Sequence, residues 1–165
     1  MDEKHITEVV TAIAKSIRSE NNLKMTLGLA KKVISGVQKK AKEMGVNAVA
    51  AVYDEGARPV AVECMDNAFI ASFDIALNKA YTVVSLKMST KELKPLAQPG
   101  GSLYGIQFTN SNKIVVFGGG VPLEYGGRII GGLGVSGGSE EQDTYLADFG
   151  GELFKEECEC MMKSK

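Results

Sequence analysis

Between Val115 and Asp143 the chain reads VVFGGGVPLEYGGRIIGGLGVSGGSEEQD, and ten of those residues are glycine, out of nineteen in all 165. Glycine at this density has two uses. It makes tight turns and lets a helix pack closely on a sheet, or it forms a pocket wall where backbone must approach a flat or bulky ligand. The apolar runs divide the segment. A strand is predicted over Lys113 to Phe117, a bend at Gly118, Gly119 and Gly120, and a strand over Val121 to Tyr125. Gly126-Gly127 then supplies a two-residue hairpin turn. A third strand spans Arg128 to Val135, with Gly132 and Gly134 at alternate positions. Ser139 opens a helix as its N-cap, and Gln142 three residues on completes a capping box.

Gly132, Gly134 and Gly137 spell G-x-G-x-x-G, the dinucleotide fingerprint, but the setting is wrong for it. A pyrophosphate binds a helix N-terminus because that end is positive. Here the first turn carries Glu140, Glu141 and Asp143, which neutralise it and repel phosphate. The strand before the glycines belongs to a hairpin, and beyond Phe154 the chain offers only KEECECMMKSK, with no second strand for a βαβ unit.

The rest of the chain alternates helical and extended patterns. Ile6, Val9, Val10, Ile13 and Ile17 form a helical stripe within Met1 to Glu20, and Asn21-Asn22 breaks it. A second helix is expected from Thr26 to Met44, ended by Gly45. The runs Val46 to Tyr53 and Pro59 to Met65, joined by DEGARP, read as a hairpin. A third helix is expected from Asn67 to Lys87, with Asp66 as its N-cap, followed by a helical turn over Thr90 to Leu96 and a loop over Gln98 to Tyr104. Hairpins dominate and helices fall between them. The expected class is therefore α+β, an antiparallel sheet of about five strands flanked by helices.

Composition narrows the function. The net charge is −1 with both signs mixed along the chain, so no basic tract argues for nucleic acid or an anionic membrane surface. No apolar run approaches the ~18 residues of a membrane span, and charges at Asp2, Glu3, Glu8 and Lys15 deny the N-terminus a secretory core. Three cysteines without framework spacing suit a reducing, cytoplasmic setting. Cys158-x-Cys160 lacks a second ligand pair for zinc and reads as part of a frayed tail. The one histidine is His5. Ser136 between glycines looks like a nucleophile, but no histidine lies nearby in sequence to activate it. Asp143 reads as a helix-end charge. Without a general base, no catalytic residue is assigned, and binding or cofactor-borne chemistry is favoured.

Two stretches carry a family resemblance. QPGGSLYGIQFTNSNKIVVFGGGVPLEYGGRIIGGLGVSGGSEEQD, Gln98 to Asp143, resembles the signature of the GlcG/HbpS family of haem-degrading domains, and most of all the C-terminal domain of PduO-type proteins. ECMDNAFIASFDIALNKAYTVVSLK, Glu63 to Lys87, is similar to the same family's Met-Asp turn and Lys-Ala helix. The resemblance spans Thr26 to Phe154 and divides the chain into an amphipathic extension, 1–22, and a GlcG/HbpS-like domain, 23–165. It implies a profilin-like layout, a homo-oligomer, and a haem or, secondarily, a corrinoid ligand. It implies no adenosyltransferase activity, which belongs to another PduO domain.

On this basis the ligand-binding candidates are Lys79, Tyr104, Gly105, Gly118, Gly119, Gly120 and Pro122. Lys79, within ALNKAYT, either holds an anionic group such as a propionate at a pocket mouth or is a solvated helix lysine. Haem iron is usually held by His, Cys, Met or Tyr. His5 or Tyr104 is the expected ligand, with Tyr81, Cys64 and Met65 as further residues of the right type. The extension resembles the encapsulation peptides that dock on shell proteins of bacterial microcompartments, a helix-in-groove mode. The implied setting is the cytoplasm, inside such a compartment. The alternatives are an enzyme acting on a small metabolite in a glycine-lined cleft, or a purely structural oligomeric subunit.

Overall fold

The computed structural model describes residues 5–11, 13–14 and 23–163. Residues 5–11 and 13–14 are helical and exposed; Ile17 and the expected break at Asn21-Asn22 lie outside the described residues. From there the order is α1 (Leu27–Glu43), β1 (Val49–Asp54), β2 (Pro59–Cys64), α2 (Ile70–Leu86), α3 (Thr90–Leu96), two short 3-10 turns, β3 (Gly120–Tyr125), β4 (Arg128–Ser136) and α4 (Glu140–Lys163). The four strands form one antiparallel sheet in the order β2-β1-β4-β3.

Helices cover both faces. Strand alternation sends Ala50, Val52, Leu133 and Val135 to one face, where they meet Val33 and Val37 of α1 and Leu146 and Phe154 of α4 in the main core. Val49 and Ala51 point to the other face and meet Ala76 and Ala80 of α2. That second layer is thin because α2 lies almost on the backbone of β4. A Cβ at Gly132 would sit 2.7 Å from the Ala80 carbonyl oxygen, and one at Gly134 would overlap the Ala76 carbonyl. The alternate glycines thus serve close helix-on-sheet packing.

Three expectations need correction. The sheet has four strands, not about five, because residues 113–117 do not join it. The Val115 N–H donates instead to Thr82 Oγ1 of α2 at 2.9 Å, so a helix side chain satisfies the backbone that a neighbouring strand would have taken. The third helix starts at Ile70 with Phe69 as N-cap, not at Asn67 with Asp66 as N-cap. Asn67 is left-handed, with φ +63°, and the Ala68 N–H closes a turn onto the Met65 carbonyl. The final helix does not fray after Phe154. It continues to Lys163, and Cys158 is buried in the main core, where burial pushes its thiol up to about 11.

The caps explain the helix starts. The Ser139–Gln142 box is present, with the Ser139 N–H donating to Gln142 Oε1 at 2.9 Å and the Gln142 N–H to Ser139 Oγ at 3.3 Å. A second box, Ser89–Glu92, opens α3. Gly126 and Gly127 both have positive φ, +57° and +72°, as a type I′ hairpin requires.

The glycine argument separates two substitutions of the same chemistry. Gly134→Ala drives a methyl into the Ala76 carbonyl and should cost about 2–3 kcal/mol. Gly28→Ala, in the first turn of α1 with nothing within 4 Å of the new carbon, should stabilise by about 0.5 kcal/mol. Urea denaturation of both variants checks the pair.

Candidate functional site

Lys79 faces the sheet on the same side of α2 as Ser72, Ala76 and Val83, and it is 0% exposed. Its ammonium has three donor directions. Nζ donates to the Val135 carbonyl at 2.8 Å and to Asp143 Oδ2 at 2.8 Å, and it lies 4.8 Å from the centroid of the Phe117 ring. Burial pulls Lys79 below the usual lysine range, and the charge and hydrogen bond of Asp143 oppose that pull. Asp143 Oδ1 also accepts from the Gly138 N–H at 2.9 Å, so one carboxylate ties α2 to the β4–α4 loop.

The triple-glycine bend closes over this pair. Gly119 has φ +109°, and a Cβ there would lie 2.5 Å from Lys79 Nζ. The Gly118 N–H donates to Glu140 Oε1 and the Gly120 N–H to Thr90 Oγ1, each at 2.9 Å. Lys94 donates to Glu140 Oε2 at 2.6 Å; this bond and the Gly118 N–H hold the Glu140 carboxyl below the usual range. Lys79 therefore stands neither at a pocket mouth nor in solvent. Its polar directions are occupied inside the fold, and Asp143 is its buried partner rather than a simple helix-end charge.

Two clefts flank this knot. The smaller, about 390 Å³, is lined by Phe69, Ile75, Phe117, Ser72, Ser136 and Asp143 among others. Ser136 is buried, and its hydroxyl donates to Ser72 Oγ at 3.2 Å, not to a base. The larger is a groove of about 820 Å³ between α3, the outer edge of β3 and α4. Val121, Pro122, Tyr145 and Phe149 give it an apolar and aromatic lining, and its charged lining is two cations, Lys91 and Lys155, and four carboxylates, Glu92, Glu124, Asp148 and Glu152. Pro122 suits an edge strand, where a missing N–H breaks no ladder bond.

The sequence candidates therefore disperse. Pro122 lines the groove, while Lys79 and Gly118 to Gly120 build the buried knot. Tyr104, 66% exposed, and Gly105, with φ +89°, sit on the loop before the first 3-10 turn and line neither cleft. His5 lies in the exposed helical residues near the N-terminus. Tyr145 was missed, although Tyr145 and Phe149 are spaced i, i+4 on α4 and share a helix face. Among the described residues, no group of three or more His, Cys, Asp or Glu could hold a bare metal ion.

Comparison with known proteins assigns the class. Residues 25–151 match the family model described as haem degrading protein HbpS-like. The chain belongs to this HbpS-like family. It is 45% identical over 139 residues to an uncharacterized 15.0 kDa protein from the dhaT-dhaS intergenic region of Citrobacter freundii, covering 84% of this chain and 98% of that one. The corrinoid adenosyltransferase PduO of the same organism is 33% identical over 146 residues, 88% of this chain but 44% of PduO. Two crystal structures share the fold. Klebsiella pneumoniae ORFY gives a TM-score of 0.78 at 43% identity, over 81% of this chain and 92% of that one. A PduOC:haem complex gives 0.76 at 33% identity, over 79% and 95%.

The buried pair predicts a non-additive pattern. Lys79→Met strands a carboxylate in the interior and should cost about 3–5 kcal/mol. Adding Asp143→Leu should recover part of that loss, short of full recovery because the Gly138 N–H also loses its acceptor. A double-mutant cycle by urea denaturation reads the coupling.

Proposed function

We propose that the chain is a self-associating accessory protein that binds haem, or a related tetrapyrrole, in the groove between β3 and α4. The groove is the observation that carries this. Its volume, about 820 Å³, falls in the range of cofactor sites, roughly 300–1,000 Å³. Its lining of Val121, Pro122, Tyr145 and Phe149 suits a flat apolar ring, and Lys91 and Lys155 are the cations for the two propionates, in a lining that also carries the carboxylates of Glu92, Glu124, Asp148 and Glu152. Lys155 is paired with Glu152 at 2.9 Å, but both side chains are half exposed or more. Such a pair is worth about 0–1 kcal/mol, so exchanging its partner for a propionate is cheap. A family relative crystallised with haem supports the ligand class. Bound haem would supply the iron chemistry, and these residues would hold and orient it.

Tyr145 is the side chain in the groove of a type that holds haem iron. It replaces Lys79 as the residue of interest and stands beside His5 and Tyr104 as a candidate ligand. A corrinoid is the second ligand class, supported by the similarity to PduO. Titrating hemin into the apoprotein should give a saturable Soret band at about one haem per chain. Tyr145→Phe should shift that band, and Lys91→Glu with Lys155→Glu should weaken binding about tenfold. A free-hemin spectrum at stoichiometric protein would reject haem binding. A shift with His5→Ala or Tyr104→Phe, and none with Tyr145→Phe, would move the iron elsewhere.

The N-terminal segment we propose to be a docking peptide for a microcompartment shell. Ile6, Val9, Val10 and Ile13 are 48, 46, 58 and 54% exposed, so the described part of this stripe lies largely open to solvent. Small aliphatics without Trp or Phe suit a protein groove better than a membrane surface. Residues 1–20 fused to a fluorescent protein should form puncta in a compartment-forming bacterium. Diffuse fluorescence, or puncta that survive Ile13→Asp, would reject the role.

A further inference from the structure

The smaller cleft has a polar floor under apolar walls. On the face of β4 that meets α2, positions 132, 134 and 136 read Gly, Gly, Ser, and positions 72, 76 and 80 of α2 read Ser, Ala, Ala. Helix and strand touch at the two glycines. At the first turn of α2 there is room between them for two hydroxymethyl groups, and the cleft opens there.

Ser72 and Ser136 are 3% and 5% exposed. Each hydroxyl carries one proton. One of the two protons is used between them, at 3.2 Å, and among the described residues no group accepts the other. A buried donor is costly to leave unpaired, and this one lines the cleft. The start of α2 adds to the same preference for an acceptor. Phe69 holds its N-cap position, where Ser, Thr, Asp or Asn would supply an oxygen, and its side chain caps nothing. The first turn of α2 carries no acidic residue, so the positive end of that helix meets the cleft without a counter-charge of its own.

The carboxylates of the cleft have no capacity left. Asp143 receives Lys79 and the Gly138 N–H, and Glu140 receives Lys94 and the Gly118 N–H, one donor on each oxygen. The Phe117 ring already has the Lys79 ammonium beside it. No lysine or arginine lines the cleft. An anion there would sit against two carboxylates with no cation in contact. A cation would meet carboxylates already paired and the positive end of α2. A neutral oxygen acceptor meets neither obstacle.

We propose that the smaller cleft binds a small neutral carbonyl compound, an amide, ketone or aldehyde on an aromatic or branched apolar body. Its carbonyl oxygen accepts the spare proton of the Ser72–Ser136 pair, and its body lies between Phe69, Ile75 and Phe117. The volume, about 390 Å³, lies at the low end of the roughly 300–1,000 Å³ of small-molecule sites and is less than half that of the groove. This site is separate from the proposed haem site and does not depend on it.

Benzamide, benzoate and benzylamine share a ring and differ in charge, so they test the class directly. Followed by amide NMR, benzamide should give saturable shifts at Ser72, Ser136, Gly137 and Gly138, which line the cleft. Benzoate and benzylamine should bind about tenfold more weakly. Ser72→Ala with Ser136→Ala removes both hydroxyls together and strands no buried polar group. That variant should keep its urea midpoint and bind benzamide about fivefold more weakly. Phe69→Ala, at a side chain 72% exposed, should weaken binding without changing unfolding. Absence of saturable shifts at the cleft, with water its only occupant, overturns the proposal. Undiminished binding by the double alanine variant, tighter binding of benzoate or benzylamine, or shifts confined to the groove around Tyr145 and Phe149 overturn it as well. None of these results bears on haem, which the hemin titration reads separately.

Discussion

A fully buried ammonium fixes the relation of α2, β4 and α4. Lys79 reaches across from α2 to the Val135 carbonyl at the end of β4 and to Asp143 in the first turn of α4. Removing an ammonium and a carboxylate from water costs several kcal/mol per ion, and only good geometry offsets it. The geometry is set by residues that contribute nothing to the pair except lack of bulk. Gly119 must leave room for Nζ, and Gly132 and Gly134 must let α2 settle against the strand. The glycine-rich stretch and the charged pair are therefore one structural solution. A side chain at the bend would displace the ammonium, and a side chain on β4 would lift α2 away from both partners.

This arrangement pushes function to the margins. With α1 and α4 on one face of the sheet and α2 on the other, the middle of the sheet has no open face left. Surface that can still bind lies along the edge strands and between helix ends. The two clefts follow this rule. One opens where α2 begins and the β4–α4 loop turns, the other where α4 passes the edge of β3. Helix-end electrostatics further limits their chemistry. Asp143 and Glu140 accept the Gly138 and Gly118 N–H groups near the start of α4, which makes that end a poor host for phosphate despite its G-x-G-x-x-G spelling.

The fold was largely legible from local signals. Hydrophobic periodicity marked α1, turn chemistry marked both hairpins, and the Ser139 box marked the start of α4. The failures share a cause, which is partners distant in sequence. Residues 113–117 look like a strand, but a threonine on α2 takes the backbone bond. Lys79 looks like a surface helix lysine because its counter-ion lies 64 residues away. Cys158 looks like tail until α1 and the sheet bury it. The site was harder still. Its groove is built from α3, β3 and α4, which neither period nor motif brings together. Pro122 was found through the family-like run that contains it, and Tyr145 was not.

The unequal edges give these observations a common logic. An open sheet must manage two rows of unpaired backbone groups, and this chain treats them differently. On β3 a proline interrupts the donor row, a register shift bends the strand, and α3 and α4 rise beside it as walls. Such an edge rejects another strand and is well made for a small ligand. On β2 the donors and acceptors of Ala61 to Cys64 remain regular, and the helix above presents Phe73 and Ile70 outward. Such an edge is poorly made for a small ligand, since no wall closes it, and well suited to a second strand.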